Sequence, residues 1–287
     1  MRLNSWLKRL TSRTRSTVVR PRRRRRSTQH APFETLESRL LLTVTTSFNP
    51  ASGQLDVSSD ADDALTVGVN AGEVTVNGTG IGVTASDVVE IDIFGGPGAN
   101  LIDASAVDAT DFPGLTDLSI RGGAGSDTIT GSAFGDDIDG EDDDDSINGA
   151  GGDDTVEGSG GNDSIRGSAG RDDLSGGDGN DRIDGQGSSG DRLHGGMGDD
   201  TLDGGAGADR IVEDGDVDFM VMDGSLTGMG TDSFTGVEGV ILTGGAGANM
   251  IDTRGYSGTA TIYGGDGNDT IMGTDGADVL FGSGGND

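Results

Sequence analysis

From residue 122 to 212 a single aliphatic side chain recurs at nine-residue spacing among polar and small neighbours. The series is Ile129, Ile138, Ile147, Val156, Ile165, Leu174, Ile183, Leu193, Leu202 and Ile211. One apolar position in nine suits neither an amphipathic helix nor a long alternating strand. It predicts a strand of about three residues that buries only its centre, followed by a tight turn. The turn residues are supplied by Gly at the head of each unit: Gly122, Gly131, Gly140, Gly149, Gly158, Gly167, Gly176, Gly185, Gly195 and Gly204. Every unit has nine residues except 185–194, which has ten, and His194 reads as its extra residue in a surface bulge. Two units complete one coil with a turn at each edge, so residues 18 apart stack at roughly the 4.8 Å spacing of neighbouring strands.

Two positions before each aliphatic residue stands an acid: Asp127, Asp136, Asp145, Asp154, Asp163, Asp172, Asp181, Asp191, Asp200 and Asp209. Stacking by 18 puts Asp127 under Asp145, Asp163 and Asp181 on one edge, and Asp136 under Asp154 and Asp172 on the other. Such carboxylate ladders repel each other unless a cation lies between them. The chain has no Cys, and its two His lie outside the ladders. Carboxylates and carbonyls without nitrogen or sulfur donors select a hard ion with six to eight oxygen ligands. A flexible Gly-rich turn suits Ca²⁺ better than Mg²⁺, and each ion would take two Asp 18 residues apart plus turn carbonyls. The acids one place earlier, such as Asp144, Asp153 and Asp199, read as surface charge, because Asn162, Arg171 and Ala208 fill the equivalent place.

The unit G-G-x-G-x-D-x-U-x resembles the RTX, or hemolysin-type, calcium-binding repeat. The resemblance covers 122–212 and resumes over 264–287 in "GGDGNDTIM", "GTDGADVLF" and "GSGGND", which adds Asp269, Asp278 and Asp287 to the expected metal ligands. It implies an all-β fold: a right-handed parallel β-roll, or β-solenoid, with multiple calcium ions held between turns. The last residue, Asp287, is the sixth of a unit. Because solenoids are expected to carry a cap, this ending reads as a truncation.

The flanks are less regular. Residues 43–121 read as a β-rich segment with a hairpin at 64–78, "ALTVGVNAGEVTVNG", burying Leu65, Val67, Val69, Val74 and Val76. Residues 213–263 read as an irregular β-rich interruption. Two related stretches, "FGGPGANLIDAS" at 94–105 and "TGGAGANMIDTR" at 243–254, carry Asn100 and Asn249 in place of the ladder acid. They read as solenoid turns with weak calcium sites or none.

Charge divides the chain. Residues 1–42 hold 12 of the 19 Lys+Arg and two acids, giving +10, whereas the remainder holds 7 Arg against 48 acids, giving −41. A body this acidic attracts cations and repels nucleic acid and anionic membranes. No stretch approaches the ~20 apolar residues of a membrane-spanning helix. The basic segment reads as a leader unfolded with respect to the body. Within it "FETLESRLLLT" (33–43) is similar to the LEPR-XLL motif of planctomycete exported proteins, through Leu36, Glu37, Arg39, Leu41 and Leu42, with Ser38 where Pro is usual. That resemblance implies an extracellular or cell-surface location.

No catalytic constellation emerges. A nucleophile needs a positioned base, and neither His30 nor His194 is placed to act as one. The expected function is calcium binding in an exported scaffold or adhesin, with cell-surface or matrix components as candidate partners. The alternatives are the calcium-dependent part of a larger secreted enzyme or toxin, and an acidic calcium buffer without a defined fold.

Overall fold

The structure, a computed structural model, describes residues 44–287. The leader and its export-like motif therefore lie outside the described residues.

Short strands alternate between two sheets. The strands that begin within the second, fourth and sixth units, Asp137–Asp142, Thr155–Gly160 and Asp173–Asp178, join a 12-stranded sheet; Thr128–Thr130, Ser146–Gly151, Ser164–Ala169 and Arg182–Gln186 of the alternate units join a 14-stranded one. Pairing within the repeats is parallel and in the expected register. Ile129 lies beside Ile147, Ile147 beside Ile165, and Ile165 beside Ile183. On the other sheet Ile138 lies beside Val156 and Val156 beside Leu174. This is an all-β, parallel β-roll. Each strand places one aliphatic side chain in the core and its two neighbours outside, since side chains alternate along a strand. All ten aliphatic residues of the series are buried. Each contributes about 1.5–3 kcal/mol by leaving water.

The solenoid starts from antiparallel pairs. Thr45–Asn49 lies antiparallel on Gln54–Ser58, and Ala64–Asn70 pairs with Glu73–Val76 as the hairpin. Leu65, Val67, Val74 and Val76 of that hairpin are buried and Val69 is half-buried. Residues 213–243 also remain within the two sheets. Phe219–Met222, Ser225–Thr227 and Thr231–Thr235 form an antiparallel meander, while Arg210–Asp214 pairs parallel with Gly239–Thr243.

The extra residue of the long unit is not His194. His194 lies within the strand Arg192–Met197, paired with Ser175, and its Nε2 is 3.4 Å from Asp173 Oδ1. The extra length falls in the turn at 187–190, because Leu174 pairs with Leu193 at an offset of 19 and the strand itself stays in phase. A turn absorbs an insertion without moving any side chain to the wrong face.

The turns stack as closely as the strands. Gly179 has φ +141°, and a Cβ there would fall inside the van der Waals shell of the Gly161 carbonyl oxygen one coil below. Gly179→Ala is expected to destabilise the coil by about 3 kcal/mol through overpacking and backbone strain. Denaturant unfolding in saturating calcium measures this, and an unchanged midpoint would mean that the turns do not stack as described.

Candidate metal centre

Each sixth-position Asp stands just before a strand, so the pairing that stacks the strands also stacks the carboxylates. The backbone N–H of each Asp donates to Oδ1 of the Asp one coil on. Along one edge the bonds run from Asp127 to Asp145, Asp145 to Asp163, Asp163 to Asp181 and Asp181 to Asp200. Along the other they run from Asp136 to Asp154, Asp154 to Asp172, Asp172 to Asp191 and Asp191 to Asp209, and all eight measure 2.7–3.0 Å. In the last repeats Asn249 donates to Asp269, Ala260 to Asp278, and Asp269 to Asp287. The carboxylates thus turn inward along the coil edges, each holding the turn before it.

Only one oxygen is used in this way. Oδ2 is buried and without a hydrogen-bond partner at Asp127, Asp145, Asp154, Asp163, Asp172, Asp181, Asp191, Asp200, Asp209 and Asp269. An ionised oxygen taken out of water with no donor is costly, and each such group calls for an explanation. The remaining three expected ligands are placed differently. Asp136, the first of its edge, accepts from the Ser132 amide and hydroxyl at 2.6 and 2.7 Å. Asp278 accepts from the Thr274 hydroxyl at 2.7 Å and is half-buried, and Asp287 is exposed.

The space beside each orphaned oxygen exists because the head of the unit is Gly. A methyl group at Gly185 would lie 2.7 Å from Asp191 Oδ2 and 2.8 Å from the Gly204 carbonyl oxygen of the next coil. Carboxylate and carbonyl oxygens therefore converge on a cradle that any Cβ would fill. The donors fit a hard cation such as Ca²⁺: oxygen only, flexible turns, and no imidazole or thiolate. Among the described residues no three or more His, Cys, Asp or Glu are gathered into one metal-binding group. The oxygens of any one site must therefore come largely from the backbone.

Burial pushes the ladder carboxyls up. Asp154 rises to about 8 and Asp145 to about 7, in both cases first by desolvation and then by the ladder acids on either side. Asp136, Asp181 and Asp191 rise to about 6 for the same leading reason. Asp127, Asp163, Asp172, Asp200 and Asp209 are also raised by burial.

A second ladder runs outside the first. The amide of Asn162 donates to Asp144 Oδ1, that of Asn180 to Asn162 Oδ1, that of Asp199 to Asn180 Oδ1, and that of Arg171 to Asp153 Oδ1. The fifth-position acids are thus more than the surface charge expected of them: they are exposed clips between coils. The Asn162 amide holds the Asp144 carboxyl below its ordinary value.

Three acids with no place in the nonapeptide pattern also reach the inner ladders. Asp232 and Glu238 accept the amides of Asp200 and Asp209, and the buried Glu213 accepts the Gly195 amide at 2.7 Å. Burial raises Glu213 to about 8 and Asp232 to about 7. The sequence does hold a signal for two of them, since Asp232-Ser233-Phe234 and Glu238-Gly239-Val240 each keep acid-x-apolar, out of period. Of the two Asn substitutes, Asn100 is buried with an unpartnered Oδ1, much like the ladder Oδ2 atoms, whereas Asn249 Oδ1 accepts the Gly245 amide.

A parallel solenoid whose turns carry inward carboxylates beside Gly cradles is a β-roll with donors suited to a hard cation. Comparison with protein families makes this specific: residues 121–156, 157–189, 186–220 and 254–287 match the RTX calcium-binding nonapeptide repeat, in four copies. These stretches are RTX calcium-binding repeats, and calcium binding is the property they bring to the chain. No curated protein matches the chain.

Proposed function

We propose that the chain is an exported calcium-binding protein, a cell-surface scaffold or adhesive element, whose coil is assembled by the ions it holds. The observation that carries the calcium reading is the set of ten buried Asp Oδ2 atoms with no donor. In this reading Asp127, Asp145, Asp163, Asp181 and Asp200 serve one edge, and Asp136, Asp154, Asp172, Asp191 and Asp209 the other. Asp269, Asp278 and Asp287 serve the last repeats. Each ion takes two carboxylates from successive coils on one edge and completes its shell with turn carbonyls. The ion supplies the positive charge that the stacked acids require. The Oδ1 hydrogen bonds hold each carboxylate in place, and the Gly heads leave room for the ion.

Export rests on the similarity of residues 33–43 to the LEPR-XLL motif. The scaffold role rests on a repetitive, strongly acidic body. No helix among the described residues is long and apolar enough to cross a membrane.

The two ladders make opposite predictions, which isothermal titration with calcium chloride can separate. Asp163→Asn, on the inner ladder, keeps the hydrogen bond to the Asp145 amide but is expected to remove at least one bound ion. Asp144→Asn, on the outer ladder, is expected to leave the number bound unchanged. Equal losses in both variants would mean that calcium is held by surface charge and not by the inner carboxylates.

A further inference from the structure

The segment that breaks the nonapeptide pattern lies against Asp200 and Asp209, the last ladder acids before the break. Asp200 is 2% exposed and Asp209 0%, and each keeps a buried Oδ2 without a donor. A motif-based ladder would leave both without a neighbour one coil on. The fold supplies one for each. The strand Thr231–Thr235 pairs with Thr201–Asp203, setting Thr201 beside Ser233 and hence Asp200 beside Asp232. Asp232 is buried, and its Oδ1 accepts the Asp200 amide at 3.1 Å across a separation of 32 residues. On the other edge Arg210 lies beside Gly239, and Glu238 Oε2 accepts the Asp209 amide at 2.9 Å across 29 residues. These are the contacts that each ladder Asp makes one coil on, formed here by residues outside any repeat unit. The buried Glu213 is not counted in either pair, since its Oε1 is held by the Gly195 amide. Gly195 also provides the cradle on that side, since a Cβ there would lie 2.5 Å from Asp200 Oδ2.

We propose that Asp232 with Asp200, and Glu238 with Asp209, form two further sites for a hard divalent cation, calcium in this chain, so that both ladders continue through the segment that carries no repeat. This rests on the calcium reading of the repeats. Asp200 Oδ2 and Asp209 Oδ2 are bare buried oxygens like those of the repeat sites, and the new partners face them from different depths, Asp232 buried and Glu238 exposed.

The double variant Asp232→Asn, Glu238→Gln in the full chain keeps both hydrogen-bond acceptors and removes both charges. Calcium titration by calorimetry is expected to show two fewer ions than the wild type. Hydrogen exchange is expected to show calcium-induced protection lost at the amides of Asp200 and Asp209 and kept over 128–186. Each single substitution is expected to remove one ion, which keeps the test decisive if the double variant does not fold. An ion count unchanged by the substitutions overturns this proposal alone. A wild-type chain that takes up no calcium overturns it together with the calcium reading.

Discussion

Stripping calcium with excess chelator near neutral pH is expected to abolish most of the β signal in far-ultraviolet circular dichroism, and returning calcium is expected to restore it. The reason lies in the geometry of the ladders. Ten carboxylates have an oxygen that is buried and receives no hydrogen bond, and they are stacked at strand spacing along the two edges. An uncompensated buried charge costs several kcal/mol, and here that cost recurs at every turn. The countervailing burial is small per unit, one aliphatic side chain in nine residues. In a solenoid each coil contacts only its neighbours, so no distant core can hold a repelling turn in place. Because the unfolded chain has no preformed site, the free energy of ion binding becomes free energy of folding. The hairpin at 64–76, built on Leu65, Val67, Val74 and Val76, carries none of the ladder Asp and is expected to lose least. A β-rich spectrum indifferent to chelator would sink this account.

Acid is expected to substitute in part for the ion. The folded-state carboxyls of Asp154 and Glu213 lie at about 8, those of Asp145 and Asp232 at about 7, and those of Asp136, Asp181 and Asp191 at about 6, each raised chiefly by burial. In the unfolded chain Asp and Glu titrate at about 4. The folded state therefore binds more protons than the unfolded state between these limits, and its stability falls as pH rises. In the metal-free chain the contribution is fully present below about pH 4 and is lost as pH climbs through 6 to 8. Circular dichroism in chelator should accordingly show β structure growing as the solution is taken from pH 8 towards 5. With calcium present the sense reverses. Protons compete with the ion for the same oxygens, so the calcium midpoint should move to higher concentration across the same window. A metal-free chain equally unstructured at both ends of the range would refute the burial of these groups.

Both expectations rest on features that differ in how far a linear reading can reach them. The period of nine, the Asp two places before each aliphatic residue, and the Gly at the head of each unit are local regularities. They were enough to predict Ile147 beside Ile165 and Asp145 beside Asp163, because equal turn lengths convert spacing along the chain into stacking in space. The same reasoning misplaced the extra residue of the long unit at His194. The aliphatic phase alone does not say which part of a unit lengthens, and only the pairing of Leu174 with Leu193 puts it in the turn. It also left Asp144 and Asp153 as solvated charge, since a hydrogen bond to an amide one coil away depends on side-chain direction, which composition at a position does not reveal.

By itself the sequence determined the coil, its two edges, the column of aliphatic rungs and the acids that face one another between them. These follow from a constant repeat length acting through the two-residue alternation of a strand. Only the tertiary structure decided which carboxylate oxygen is satisfied and which is left bare. It alone tied Asp136 to Ser132, and it alone brought Asp232 and Glu238 onto the ladders from 32 and 29 residues beyond Asp200 and Asp209. The physical reason is that a ladder is defined by strand register in space. A loop or meander of any length can be inserted between two rungs without shifting the rungs themselves, and such an insertion erases the period by which a sequence would have shown them.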